Sequence, residues 1–235
     1  MLRIEVLFPE VCNLYGDLGN IQYLRACLPD AEFIETALTQ KPEFAGTDVD
    51  LIYMGSMTER MQEKVVARLL PYRDALQRCI DNGTVILFTG NAYELMGEYI
   101  EDEGRKIPCL GFFGYHAVRD MMNRHFSIIL AEFEGMKLLG FKDQFTMSYD
   151  NADEEAFMRI VKGEGWHKGA PFEGIRKNNF FGTYLLGPFL VMNPDFVRYM
   201  LELMGDEAPK LAFEDAIRAA YEKRLHEFET KAVIK

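Results

Sequence analysis

Through its first hundred residues the chain alternates short runs of β-branched and large apolar residues with segments of helical period, and this order restricts the possible folds more than any other feature. Residues 2–8 alternate in the manner of a strand and stop at Pro9. Ile21, Leu24 and Leu28 then recur at helical spacing, with Asp17 placed to cap the first turn and Pro29 ending the run. Residues 31–36 and 51–54 read as strands, and 58–81 as a helix interrupted at Pro71 and stopped by Asn82-Gly83. Residues 84–88 form a continuous apolar run, the pattern of a strand covered on both faces. Parallel neighbours need crossover helices, so the order predicts an α/β fold with a doubly wound, mostly parallel sheet and helices on both faces. Ligands of such sheets gather at the carboxyl ends of strands, here the loops after Phe8, Met54 and Phe88.

The texture changes over residues 111–141, where FFGYHAV, HFSIILAEF and MKLLGF are strand-like pieces with little helical period, predicting an antiparallel extension. Residues 178–190 read as a last strand and 194–205 as a helix. Residues 208–231 read as a polar amphipathic helix with Leu211, Ile217, Ala220, Tyr221, Leu225 and Phe228 near one side. That helix is expected to lie against the body of the domain or a neighbouring subunit. The expected division is one domain over 1–205 and a C-terminal helical appendage over 206–235, because 235 residues suit one sizeable core.

Composition removes several function classes. With 26 basic and 37 acidic residues the chain carries a net charge of -11, which repels phosphate backbones and anionic headgroups, so neither nucleic acid nor membrane is an expected partner. The chain has no window near the roughly 20 apolar residues that span a bilayer, nor a basic leader, and a cytoplasmic location is expected. Cys12, Cys27, Cys79 and Cys109 lack paired spacing, and His116, His125, His167 and His226 are equally dispersed, so no metal and no cofactor is expected. Trp166 and the aromatics Phe172, Phe180, Phe181, Tyr184 and Phe189 read as packing residues.

Three segments carry a family resemblance: Asn13-Leu14-Tyr15-Gly16-Asp17-Leu18-Gly19-Asn20, Thr89-Gly90-Asn91-Ala92-Tyr93-Glu94-Leu95-Met96-Gly97 and Phe181-Gly182-Thr183-Tyr184-Leu185-Leu186-Gly187-Pro188. With the pair Asn123-Arg124, they resemble class I glutamine amidotransferases of the cobyric acid synthase type, most closely the glutaminase subunit of lipid II isoglutaminyl synthase. The match spans most of the first 200 residues. In that family a cysteine at a strand-to-helix elbow attacks the amide and a histidine from a later strand moves the proton. Backbone N–H groups of a glycine-rich loop hold the oxyanion.

The resemblance implies that the chemistry itself has been substituted. Aligned on Tyr93 and Gly97, Gly90 stands at the nucleophile and Leu186 at the histidine, so no catalytic residue is expected. Thr89 is one residue early and faces the other side of its strand. After Met54 the loop keeps Gly55 but continues Ser56-Met57, where relatives have more glycine. Gly55, Asn91, Tyr93, Glu94 and Arg124 are the expected ligand-binding residues, with Arg124 suited to a carboxylate rather than a phosphate. The implied function is that of a non-catalytic subunit binding a Mur-ligase-like synthetase, an amino-acid-like small ligand, or both, in cell wall biosynthesis. Two other readings stay open: a working amidotransferase or hydrolase with its nucleophile moved to Cys12, Cys109 or Thr89, and a self-assembling scaffold whose pocket is filled by Met57, Leu186 and Glu94. On residue chemistry alone, Gly90-Asn91 also suits an ordinary turn and Arg124 a solvated strand edge.

Overall fold

The computed structural model describes residues 1–231, so the last four residues of the 206–235 appendage lie outside the described residues. Strands β1 (Arg3–Leu7), β2 (Glu32–Thr36), β3 (Leu51–Met54) and β4 (Val85–Thr89) alternate with helices α1 (Leu18–Cys27), α2 (Glu59–Leu69) and α3 (Arg73–Asp81). There follow β5 (Tyr99–Asp102), β6 (Arg105–Pro108), β7 (His116–Arg119), β8 (His125–Phe133), β9 (Met136–Gln144), β10 (Thr146–Tyr149), β11 (Ala156–Lys162), β12 (Phe172–Lys177) and β13 (Phe180–Thr183). Helices α4 (Pro194–Leu203) and α5 (Glu214–Thr230) close the described chain. Nine strands form one sheet in the order β2-β1-β3-β4-β13-β12-β11-β8-β9, and β10-β7-β5-β6 form a smaller one. Pairing in the large sheet is parallel from β2 through β13 and antiparallel from there to β9.

The parallel half is built by the period of two along each strand. Ile52 and Met54 of β3 and Ile86 and Phe88 of β4 pack with Val65, Val66 and Leu69 of α2 and Leu76 and Ile80 of α3. Their alternating neighbours Leu51, Tyr53, Val85 and Leu87 pack with Ile21 and Leu24 of α1 and Phe196, Val197 and Met200 of α4 on the opposite face. Thr58 starts α2 by accepting the Met61 N–H on its hydroxyl (3.3 Å). Pro71 divides the expected 58–81 helix into α2, a single 3-10 turn and α3. In the antiparallel half, β8 and β9 pair from His125↔Gln144 to Phe133↔Met136 around a two-residue turn, Glu134-Gly135, with both residues at positive φ (48° and 78°).

Three expectations are corrected. Helix α1 does start after Asp17, but the Asp17 side chain makes no cap bond, and the Leu18 N–H is taken instead by Asn13 Oδ1 (3.2 Å). The strand expected over 178–190 is only Phe180–Thr183, because from Tyr184 onward the backbone turns away to lie against β9, where Leu186 N donates to Phe141 O (2.9 Å). The tail helix begins at Glu214 rather than near 208, after Phe213 takes a left-handed φ of 55°. Of its apolar residues only Ile217 is buried, yet the helix is fastened to the sheet: Tyr221 Oη donates to Lys137 O (2.8 Å) and Lys162 Nζ to Phe228 O (3.0 Å). Among the described residues no helix is long and apolar enough to cross a membrane.

Candidate functional site

The carboxyl ends of β3, β4 and β13 meet at one point, and a buried carboxylate joins them. Asp17, wholly buried, accepts the Ser56 N–H (2.6 Å) and the Thr89 hydroxyl (2.9 Å) on Oδ2 and the Gly187 N–H (2.6 Å) on Oδ1. Burial pushes its pKa up, while the bonds from Ser56, Thr89 and Gly187 pull the other way, and the net direction is upward. Tyr53 Oη donates to the Asp17 carbonyl (2.9 Å) and accepts from Asn20 Nδ2 (3.0 Å), and Asn20 Oδ1 accepts the Leu190 N–H (2.8 Å). Loops distant in sequence are thereby held in one fully bonded network.

Gly90 begins a 3-10 helix that runs to Met96, and its φ of +59° is one that residues with a Cβ rarely adopt. A Cβ at this position would stand 2.5 Å from Ser56 Cβ and 2.9 Å from Leu186 Cδ2. Conformation and space therefore both require glycine. The loop after β3 offers no free donor at Ser56 or Met57: the Ser56 N–H goes to Asp17, and the Met57 N–H goes to Asn91 Oδ1 (2.9 Å) while Asn91 Nδ2 returns a bond to Met57 O (2.7 Å). Gly55 lets this loop seat on the one after β1, where an added Cβ would lie 2.8 Å from Cys12 O.

Beside Gly90 lies a cavity of about 40 Å³ bounded by Tyr15, Ser56, Glu94, Gln144, Thr146, Tyr184 and Leu186 among others, with no cysteine or histidine in its lining. Glu94 is wholly buried there, its Oε2 accepting from Gln62 Nε2 (2.7 Å). Burial pushes its pKa up to about 7, against the pull of Gln62 and Arg119. Arg119, buried in β7, reaches Gln62 Oε1 (2.6 Å) and Asp102 Oδ2 (2.9 Å). Arg124 stands outside this group. Its side chain is 57% exposed and grips Asp143 with two nitrogens at the mouth of the cavity.

Residues 3–194 match the family described as a CobB/CobQ-like glutamine amidotransferase domain. The chain belongs to that family. It is 23% identical over 241 residues to subunit GatD of the glutamine-hydrolyzing lipid II isoglutaminyl synthase of Streptococcus pneumoniae, covering 98% of this chain and 93% of the relative. It is 27% identical over 206 residues to the Staphylococcus aureus GatD, covering 86% and 83%. Among solved structures it resembles PurLQS from Thermotoga maritima (TM-score 0.54, 14% identity, 95% of this chain and 99% of that one). It also resembles the glutaminase domain of Trypanosoma brucei CTPS with bound acivicin (TM-score 0.55, 10% identity, 89% and 97%). These structural likenesses show the amidotransferase fold.

Within that fold the expected residues fall into two groups. Gly55, Gly90, Asn91, Glu94 and Leu186 converge at the elbow and cavity. Tyr93 does not face the cavity: it is wholly buried, stacked on Tyr115 (4.8 Å between centroids), with its hydroxyl accepting from Asn151 Nδ2 (2.6 Å). Cys12 is buried with its thiol 3.9 Å from the Met57 sulfur, and Cys109 is buried with its thiol directed at Ile107 O (3.7 Å). Burial raises both thiol pKa values, that of Cys109 to about 12, and the nearby carboxylates Asp17 and Glu94 raise them further. Asn20, Tyr53, Gln62, Arg119, Asp143 and Thr146 also belong to the site. Of these only Asn20 lies in a motif that points to the site, the same segment that holds Asp17.

Proposed function

We propose that this chain is a non-catalytic amidotransferase-like subunit that works beside a Mur-ligase-like synthetase in cytoplasmic, lipid II-linked cell wall biosynthesis. The observation that carries the reading is the packing at Gly90: the residue in the nucleophile's place has no side chain, and Ser56 and Leu186 occupy the volume one would need. Supporting it, the two N–H groups of the Ser56-Met57 loop are engaged by Asp17 and Asn91, so an oxyanion would have to displace an existing acceptor from each. The names of the GatD relatives, subunits of a glutamine-hydrolyzing synthase, supply the expectation of a synthetase partner. Gly55, Asn91, Tyr93, Glu94 and Arg124 frame the ligand site of this subunit, Tyr93 by packing behind it.

One contact favours a hydrolase instead, the Thr89 hydroxyl on the Asp17 carboxylate, since a hydroxyl beside a base is the start of a nucleophile. Both side chains are wholly buried, which keeps a substrate from reaching them. An electrophilic glutamine analogue followed by intact-protein mass spectrometry and peptide mapping separates the two readings. The non-catalytic reading expects no adduct at Thr89, Cys12 or Cys109, and a stoichiometric adduct on any of them defeats it.

A further inference from the structure

Strand β9 carries a wholly buried lysine. Lys142 has no exposed surface, and its one hydrogen bond among the described residues is donated by Nζ to the carbonyl of Gly165. Lysine is almost never fully buried unless a carboxylate pairs with it. Here the charged groups acting on it, Glu173 of β12 and Glu164, do so through space alone. Glu173 is itself wholly buried, its oxygens accepting the Thr183 hydroxyl (2.7 Å) and the Tyr184 N–H (2.8 Å). The segment after β13 adds the Tyr184 ring, 5.7 Å from Nζ, and β8 places the neutral Ser127 opposite Lys142.

Gly165 belongs to a strap, residues 163–171, that joins β11 to β12 and closes over Lys142. Close contacts seat it: a Cβ at Gly163 would collide with Ile128 O, and one at Gly165 with Phe172 O. Glu164 N donates to Ser127 Oγ (3.0 Å), Trp166 N to Phe172 O (2.8 Å) and Trp166 Nε1 to Gly174 O (2.8 Å). His167, the strap's one imidazole, stacks on Tyr149 (5.0 Å between centroids).

An ammonium enclosed in this way has exchanged its water for a single carbonyl, and burial pushes its pKa down from 10.5 to about 8, against the pull of Glu173 and Glu164. The closed strap therefore favours the neutral amine, whereas an open strap hydrates Nζ and favours the ammonium. The penalty on closure is full below about pH 8 and fades as pH rises towards 10.5.

We propose that Lys142 gates the strap, its protonated side chain driving local opening of residues 163–171 and its neutral side chain sealing them on β9. The proton is exchanged between Nζ and solvent, and no other bond changes. Opening brings water to Glu173, which holds the Tyr184 N–H, and Tyr184 lines the cavity beside Gly90. The strap thus passes pH to a wall of the site, independently of the chemistry at the elbow.

The test is hydrogen exchange of the Glu164 and Trp166 amides in the full chain between pH 7 and pH 9.5, corrected for the intrinsic rate, alongside acrylamide quenching of Trp166, the only tryptophan. The opening constant should fall about 30-fold over that range, the ratio that a shift from 10.5 to about 8 gives. Lys142→Met, apolar and of similar length, should abolish this pH dependence and hold the strap closed at pH 7. Glu164→Gln removes a charge that favours the ammonium and should move the transition to lower pH, so the question stays answerable even where Lys142→Met fails to fold. His167→Asn should leave the transition in place. A pH-independent opening constant in the unmodified chain, a fall that persists in Lys142→Met, an unmoved transition in Glu164→Gln, or a transition lost in His167→Asn would each overturn the proposal.

Discussion

The two walls of the cavity beside Gly90 have been treated in opposite ways. On the elbow wall the donors of the Ser56-Met57 loop and of Gly187 are taken up by Asp17 and Asn91, and the volume above Gly90 is occupied. On the far wall Glu94 carries a buried carboxyl whose pKa burial holds up near 7 against the pull of Gln62, Arg119 and the Thr146 hydroxyl. Closing a wall with paired bonds adds rigidity and removes reactivity. A buried carboxyl keeps a desolvation penalty that its hydrogen-bond partners only partly offset. The comparison teaches that the packing at the elbow and the titratable group beside it reside on different residues, so each can be altered without the other.

The contrast is broken most severely at Asp17. Asp17→Ala leaves the Ser56 and Gly187 N–H groups and the Thr89 hydroxyl buried without an acceptor, and it should lower unfolding free energy by about 4 kcal/mol or more, read from urea denaturation. A loss under about 1 kcal/mol would mean that the network does not hold the elbow wall shut.

Next comes the glycine itself. Gly90→Cys places a Cβ at positive φ and drives it against Ser56 Cβ, for an expected loss of about 3 kcal/mol. Adding Ser56→Gly should recover part of that loss by removing the atom in the way. Restoring a nucleophile therefore needs at least Ser56→Gly and Leu186→His beside Gly90→Cys, and Gly90→Cys with Leu186→His alone is too small a change.

The far wall responds to pH instead. Burial holds the folded pKa of Glu94 near 7, above its ordinary value of 4.5, so the native state binds the proton more tightly than the unfolded chain. Its contribution to stability is full below about 4.5 and is lost as pH rises through about 7, on the order of 3 kcal/mol at most. Glu94→Gln should flatten the decline between pH 5 and pH 8 measured by denaturant titration. A residual slope of the same sign is expected, since burial also raises Glu5, Asp17 and Glu173.

Arg124 gives the smallest effect. Its pair with Asp143 is exposed on the arginine side, so Arg124→Ala should change stability by less than about 1 kcal/mol in the same assay. A larger loss would place Arg124 among the structural residues of the site.

The difference between what the sequence revealed and what it hid has a physical basis. The centre of the parallel half was readable because β3 and β4 are buried on both faces and show as unbroken apolar runs, LIYM and VILF. The strands of the β8–β9 hairpin were readable as the strand-like pieces HFSIILAEF and MKLLGF, which predicted an antiparallel extension. The smaller sheet was not, since β5 and β6 are four-residue strands, YIED and RKIP, whose charges face outward and mask any period. Residues 184–190 are as apolar as a strand yet form a buried loop, and composition does not distinguish the two. In the site, Gly90 and Leu186 could be singled out because a motif framed them. The role of Asp17 could not, because its three donors come from residues 56, 89 and 187, far apart along the chain, while the signal for a helix cap is local.

The central claim is that the elbow wall is closed to chemistry, and glutamine hydrolysis tests it most directly. Purified protein, alone and with a Mur-ligase-like synthetase partner, is assayed for ammonia released from glutamine against a buffer blank. Without a thiol at residue 90 there is no thioester to form, and without an imidazole at 186 nothing protonates the leaving amine, so release at the level of the blank is predicted. Sustained turnover that disappears in Thr89→Ala, Cys12→Ala or Cys109→Ala would contradict the account and locate the nucleophile elsewhere.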